Sequence, residues 1–153
     1  MKSKTLIIGA TGKTGMPVVE QALASGQDVR AVIRREDERS SRLRSLGAET
    51  VIGDVHNIQS VRAFMTGVSK LYFSYPTHLT GLVEATANIA TAAKDEGVKA
   101  IVNMSQISVR ENARSKLTHQ HWLSEKILDW SGVGAIHIRP NYFMENMLLF
   151  NAQ

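Results

Sequence analysis

Cysteine is absent from the 153 residues, so neither a disulfide nor a thiolate metal site can hold this chain together. The absence fits a reducing compartment, and the cytoplasm is the expected location. Long apolar runs are missing as well. The N-terminal Met1-Lys2-Ser3-Lys4 is basic, but the run behind it, Leu6 to Ala10, is too short for a signal-peptide core or a membrane span, so no membrane is expected as a partner. No repeat, low-complexity tract or linker interrupts the pattern. The chain is basic, with a net charge of +4, yet only 6% aromatic. The cationic cluster from Arg30 to Arg44 stands beside Glu36, Asp37 and Glu38 with no aromatic side chains interleaved for base stacking, so no nucleic acid is expected. The histidines are scattered. The two nearest, His119 and His121, are two apart and do not share a helix face, so no metal site is expected.

What is present is an ordinary globular composition, 43% hydrophobic and 21% charged, with enough residues for one sizeable core. Short apolar runs rich in β-branched residues alternate with longer amphipathic ones. That alternation predicts an α/β fold: a Rossmann-type doubly wound parallel sheet of about six strands with helices on both faces. The predicted strands are Thr5–Gly9, Val29–Ile33, Thr50–Ile52, Lys70–Phe73, Ala100–Met104 and Ala135–Ile138. The predicted helices are Thr14–Ser25, Glu38–Leu46, Ile58–Met65, Leu79–Glu96 and Leu117–Trp130. Gly26, Gly47, Gly67, Gly97 and Gly132 stand where a left-handed residue closes a helix. Residues 1–140 then form the nucleotide-binding domain. The apolar stretch 141–153 reads as the start of a C-terminal lobe that is cut short, with self-association through 142–150 as an expected consequence.

The chemistry begins at Gly9-Ala10-Thr11-Gly12-Lys13-Thr14-Gly15, which follows the first strand and opens the first helix. In a dinucleotide loop, Gly9 allows the tight turn, Gly12 the approach of a pyrophosphate, and Gly15 close packing of helix on strand. The helix N-terminus adds unpaired N–H groups and a positive dipole end. Glycine loops also end strands for structural reasons alone, so the placement inside a βαβ unit carries the reading. A P-loop is excluded, because its first glycine would fall on Ile7 inside the strand. At the end of the second strand, where NAD calls for a carboxylate, Arg34-Arg35 stand instead, two guanidiniums suited to a 2′-phosphate. NADP(H) is therefore expected over NAD(H); the other reading is a solvated arginine pair.

These residues resemble the NmrA-like branch of the atypical short-chain dehydrogenases/reductases, which includes NADPH-dependent quinone reductases and azoreductases as well as redox-sensing regulators. The resemblance rests on Gly9 to Gly15, Arg34, Gly53-Asp54-Val55, His121-x-x-Ser124-Glu125 and Arg139-Pro140-Asn141-Tyr142-Phe143-Met144-Glu145-Asn146. It implies an adenine contact from Asp54 and Val55, and a ribose and nicotinamide side lined by Ser74, Tyr75, Pro76, Ser105 and Gln106. It would complete the cofactor set Gly9, Thr11, Gly12, Lys13, Thr14, Gly15, Arg34, Arg35, Asp54, Val55, Ser74, Tyr75 and Ser105. Asp54 reads equally as a helix N-cap or turn aspartate.

The wider superfamily's Tyr-x-x-x-Lys acid is absent here. His121 and Tyr142 remain as candidate proton donors. His121 faces Glu125 one turn on, a pairing read as a surface or structural one, and Tyr142 reads equally as a packing aromatic. The implied activity is hydride transfer from NADPH to a small electron-poor acceptor such as a quinone. The alternative is a non-catalytic NADP(H)-sensing module.

Overall fold

The computed structural model describes residues 4–76 and 80–144. Its first strand, β1 (Lys4–Ile8), leads into α1 (Gly15–Ala24), β2 (Asp28–Ile33), α2 (Glu38–Ser45) and β3 (Glu49–Ile52). The chain then crosses through α3 (Ile58–Met65) to β4 (Val68–Phe73), α4 (Leu82–Asp95), β5 (Ala100–Met104), α5 (Lys116–Ser131) and β6 (Gly134–Ile138). The six strands form one sheet in the order β3-β2-β1-β4-β5-β6, and every pairing is parallel. The chain winds outward from β1 in one direction and from β4 in the other. Their shared border is the topological switch point, where such sheets open a crevice at the strand carboxyl ends.

Parallel strands must be covered on both faces, and two apolar layers do this. On one face Val19 and Ala22 of α1 and Leu43 of α2 pack on Ile7, Val29, Ala31 and Ile33. On the other, Val61, Phe64 and Met65 of α3, Leu82 and Ile89 of α4 and Leu128 of α5 pack on Leu6, Leu71, Phe73 and Ile101. A hydroxyl pair fastens α4 to α5 inside the second layer. Buried Thr86 donates to the Leu82 carbonyl at 2.7 Å, so the hydrogen in its 2.8 Å contact with Ser124 comes from Ser124.

The expected doubly wound architecture stands, and the differences lie at element ends. β4 begins two residues early because Val68 pairs with Lys4 across a register shift between Lys4 and Thr5. α1 begins at Gly15 with Thr14 as its N-cap. α4 starts at Leu82 behind Gly81, whose φ of +90° belongs to the left-handed region. The five glycines expected to close helices all have positive φ, and no other described residue type does. No helix among the described residues is long and apolar enough to cross a membrane. Of the stretch expected to self-associate, Tyr142, Phe143 and Met144 are exposed, and 145–150 lie outside the described residues.

Candidate functional site

A cleft of about 1240 Å³ lies over the carboxyl ends of the strands at the switch point. That exceeds the roughly 300–1,000 Å³ of common small-molecule sites and leaves room for an extended ligand. The glycine loop forms its middle. Gly9, with φ +83°, brings its backbone so close to β4 that a Cβ would stand 2.5 Å from the Ser74 carbonyl, and a Cβ on Gly15 would overlap the Gly9 carbonyl. These two glycines therefore set packing. Gly12 differs: it is exposed and lines the cleft, its N–H closes the turn on the Gly9 carbonyl at 2.9 Å, and a Cβ there would meet only that carbonyl, at 3.1 Å. Thr14 makes no side-chain cap, so nothing from that residue covers the first-turn N–H groups of α1.

Cations concentrate at one end. Lys13, Arg34, Arg35 and Arg39 all line the cleft, and the first three make no ion pair with any described residue. Asp37, a carboxylate that lines the cleft with them, is already engaged. It caps α2 through Arg39 N at 2.9 Å and Ser40 N at 3.1 Å, while its other oxygen holds the Arg39 guanidinium at 2.7 Å. Those bonds, Arg39's first among them, keep the Asp37 carboxyl below its ordinary range. Arg39 and Asp37 were not foreseen as site residues. The Asp37-x-x-Ser40 capping box was the available signal, and it shows that this carboxylate belongs to a helix start.

Asp54 and Val55 line the cleft beside His56, Ser74, Tyr75 and Pro76. Asp54 Oδ1 accepts from His56 N at 2.9 Å, a turn role; the N-cap of α3 is Asn57. Its second oxygen accepts from no donor among the described residues. Tyr75 meets His56 at 3.0 Å, and burial, the largest effect on it, pushes its phenol up.

The opposite end of the cleft is formed by Met104, Ser105, Gln106, Leu117, His121, Pro140, Asn141 and Phe143. His121 is half-buried, and that burial lowers its imidazole pKa more than nearby Glu125 raises it. Two expectations are corrected here. Glu125 does not form a surface pair with His121: it is 1% exposed and receives a bidentate bond from Arg139, at 3.0 and 2.6 Å, because β6 delivers that guanidinium directly against α5. Burial pushes the Glu125 carboxyl up, but Arg139 and the Ser105 hydroxyl outweigh it and hold it below the usual range. Ser105 Oγ reaches no partner at strict hydrogen-bond geometry. A buried hydroxyl beside a buried carboxylate turns toward it, which favours the carboxylate form. The second correction is Tyr142. It is 54% exposed and absent from the lining, since Asn141 and Phe143 on either side of it face the cleft. A smaller groove of about 570 Å³ between α4 and α5 is mainly apolar and holds none of these groups.

A family model described as NAD(P)H-binding matches residues 9–146. The chain belongs to the NAD(P)H-binding family. Its six-stranded architecture and the NmrA-like motifs read from its sequence agree with that membership. Within this family it is 27% identical over 147 residues to an NAD(P)H azoreductase from Xenophilus azovorans, a match that covers 95% of this chain and 50% of the relative. The structure resembles the triphenylmethane reductase of a Citrobacter species complexed with NADP(H), with a TM-score of 0.79 and 28% identity over 94% of this chain and 51% of the other. It also resembles an NADPH-dependent quinone oxidoreductase from Escherichia coli complexed with NADPH, with a TM-score of 0.80 and 25% identity over 95% and 51%. The chain spans about half the length of these relatives.

Proposed function

We propose that this NAD(P)H-binding chain holds NADPH along the cleft and serves an oxidoreductase that reduces a small electron-poor acceptor such as a quinone. The observation that carries the reading is the set of cations, Lys13, Arg34 and Arg35, that form no ion pair among the described residues and open onto the same cleft as the glycine loop. A phosphorylated dinucleotide supplies the missing counter-charge. Gly12, the N-terminus of α1, Thr11, Lys13 and Thr14 would hold the pyrophosphate. Arg34 and Arg35, with Arg39 held nearby by Asp37, would take the 2′-phosphate. Asp54 and Val55 would receive the adenine, and Ser74, Tyr75 and Ser105 would serve the ribose and nicotinamide portions.

When bound, the cofactor supplies the hydride. The protein's share is orientation, exclusion of water and a proton source. At the far end the apolar Met104, Leu117 and Phe143 surround His121, a setting for an uncharged, planar acceptor. His121 is the candidate proton donor. The relatives named as an azoreductase, a triphenylmethane reductase and a quinone oxidoreductase support a reducible conjugated acceptor.

Calorimetric titration with NADPH and NADH, followed by NADPH consumption against a panel of quinones, tests both parts. Tight NADPH binding with quinone-dependent consumption is the expected result. Absence of binding to either cofactor would overturn the reading.

A further inference from the structure

The motif His121-x-x-Ser124-Glu125 sends its three functional side chains to three destinations. His121 lines the cleft, Ser124 bonds Thr86 of α4, and Glu125 is buried against the exit of β6. The last is the unexpected one. A carboxylate that is 1% exposed carries a desolvation penalty, and an apolar pair of similar volume would pack α5 on β6 at least as stably. Stability alone therefore gives no reason for a charge there.

The neighbours of Glu125 supply one. From the β5 exit it faces Ser105; from β6, His137 and Arg139; from its own helix, His121 one turn earlier. Asp129, the next carboxylate on α5, is occupied by His137 at 3.0 Å and Lys126 at 3.2 Å. Ser105 and His121 both line the cleft, and Arg139 directly precedes Pro140 and Asn141, which line it too. Glu125 thus stands behind Ser105, His121 and the β6 exit at the acceptor end.

We propose that Glu125 is a positioning residue that ties the β6 exit to α5 through Arg139 behind the cleft and, one helical turn from His121, sets the protonation of that imidazole. This rests on the reading that the His121 end of the cleft takes the acceptor. Burial disfavours the imidazolium form, and the fixed negative charge one helical turn away partly restores it. A neutral residue of the same shape at position 125 would leave His121 neutral to lower pH.

The test is an NMR titration of the His121 ring in the wild type and in Glu125→Gln, with the resonance assigned through His121→Asn. The expected result is a downward shift of the His121 midpoint in folded Glu125→Gln, with Glu125→Asp between the two. If Glu125→Gln does not fold, Glu125→Asp, which keeps the charge but withdraws it by one methylene, carries the test through a smaller downward shift. An unmoved or raised midpoint in the folded variant would show that the carboxylate is only a packing element. NADPH titration of the same samples separates the two ideas. A wild type that binds no cofactor sinks the reading of the cleft, whereas an unmoved midpoint in protein that binds NADPH sinks this inference alone.

Discussion

The two ends of the cleft are built on opposite electrostatic plans. At the β1–β2 end, Lys13, Arg34 and Arg35 stand without carboxylate partners among the described residues, and Asp37 is consumed by capping α2. At the β5–β6 end, Glu125 and Arg139 neutralise each other, and His137 lies between Asn103 at 3.1 Å and Asp129 at 3.0 Å. The first end has charge to spare and is completed by an anionic ligand. The second has its charged groups paired within the protein, while Ser105 Oγ and Gln106 Nε2 stand buried without a hydrogen-bond partner at strict geometry among the described residues. A binding change should therefore follow substitution at the first end, and a stability change substitution at the second.

Arg139→Ala gives the largest expected break in that division. It leaves the Glu125 carboxylate buried without its partner, at a cost of about 3 kcal/mol. Urea denaturation should register the loss, while NADPH affinity of the folded fraction stays within about threefold of wild type. A large fall in affinity would mean that the two ends are not separable.

Gly12→Val reverses the pattern. Its side chain occupies the pyrophosphate position, so NADPH affinity should drop about a hundredfold or more by calorimetry. Circular dichroism and the melting temperature should hardly change, because Gly12 is exposed and its Cβ would meet only the Gly9 carbonyl, at 3.1 Å.

A finer probe is Arg34→Ala. A charge-assisted bond to a 2′-phosphate is worth roughly 1.5–3 kcal/mol, so the preference for NADPH over NADH should shrink by about tenfold or more. Equal affinities for the two cofactors in the wild type would end the argument for the arginine pair.

The smallest expected effect is a pH dependence, and it belongs to the paired end. His121 is held below its ordinary 6.5 chiefly by burial, so the unfolded chain takes up that proton first as pH falls. Glu125 is held below its ordinary 4.5 despite burial, through Arg139 and Ser105. Both groups contribute stability that is complete above their unfolded values and is lost as pH falls through them. The melting temperature should therefore be highest above pH 7 and decline first near 6.5 and again below 4.5. Glu125→Gln should lessen the second decline, which the lowered Glu36, Asp37, Glu49 and Asp129 carboxyls share, and keep the first.

The same division decides what was legible in the sequence. The glycine loop, Arg34 and the helix-closing glycines are local signals: each residue's role follows from neighbours within a few positions and from the strand or helix it ends. The helix-closing glycines have the positive φ expected of them, and the glycine loop and Arg34 line the cleft. Glu125 and Arg139 are 14 residues apart on different elements, and nothing in their spacing announces a bidentate pair. Reading His121 and Glu125 as partners at helical spacing was reasonable for an isolated helix and failed because β6 brings a stronger cation to the same carboxylate. Tyr142 was placed near the cleft by its position after β6, but sequence does not say which of three consecutive side chains turns inward. Asp37 was hidden for a different reason: its cap is local, yet its significance lies in leaving the neighbouring arginines without a partner.

The Thr86–Ser124 hydroxyl pair ties this static picture to motion. A greasy contact between two helices tolerates rolling, since dispersion varies little with angle, whereas a 2.8 Å hydrogen bond buried between them has one acceptable orientation. It acts as a detent on the rotation of α5. Each residue along a helix advances about 100°, so a roll of even a third of that angle would swing His121 away from the cleft wall. The protein's capacity to present that imidazole is therefore also a question of torsional freedom. The rate at which α5 amides exchange with deuterium, with and without the Ser124 hydroxyl, is the natural measure of it.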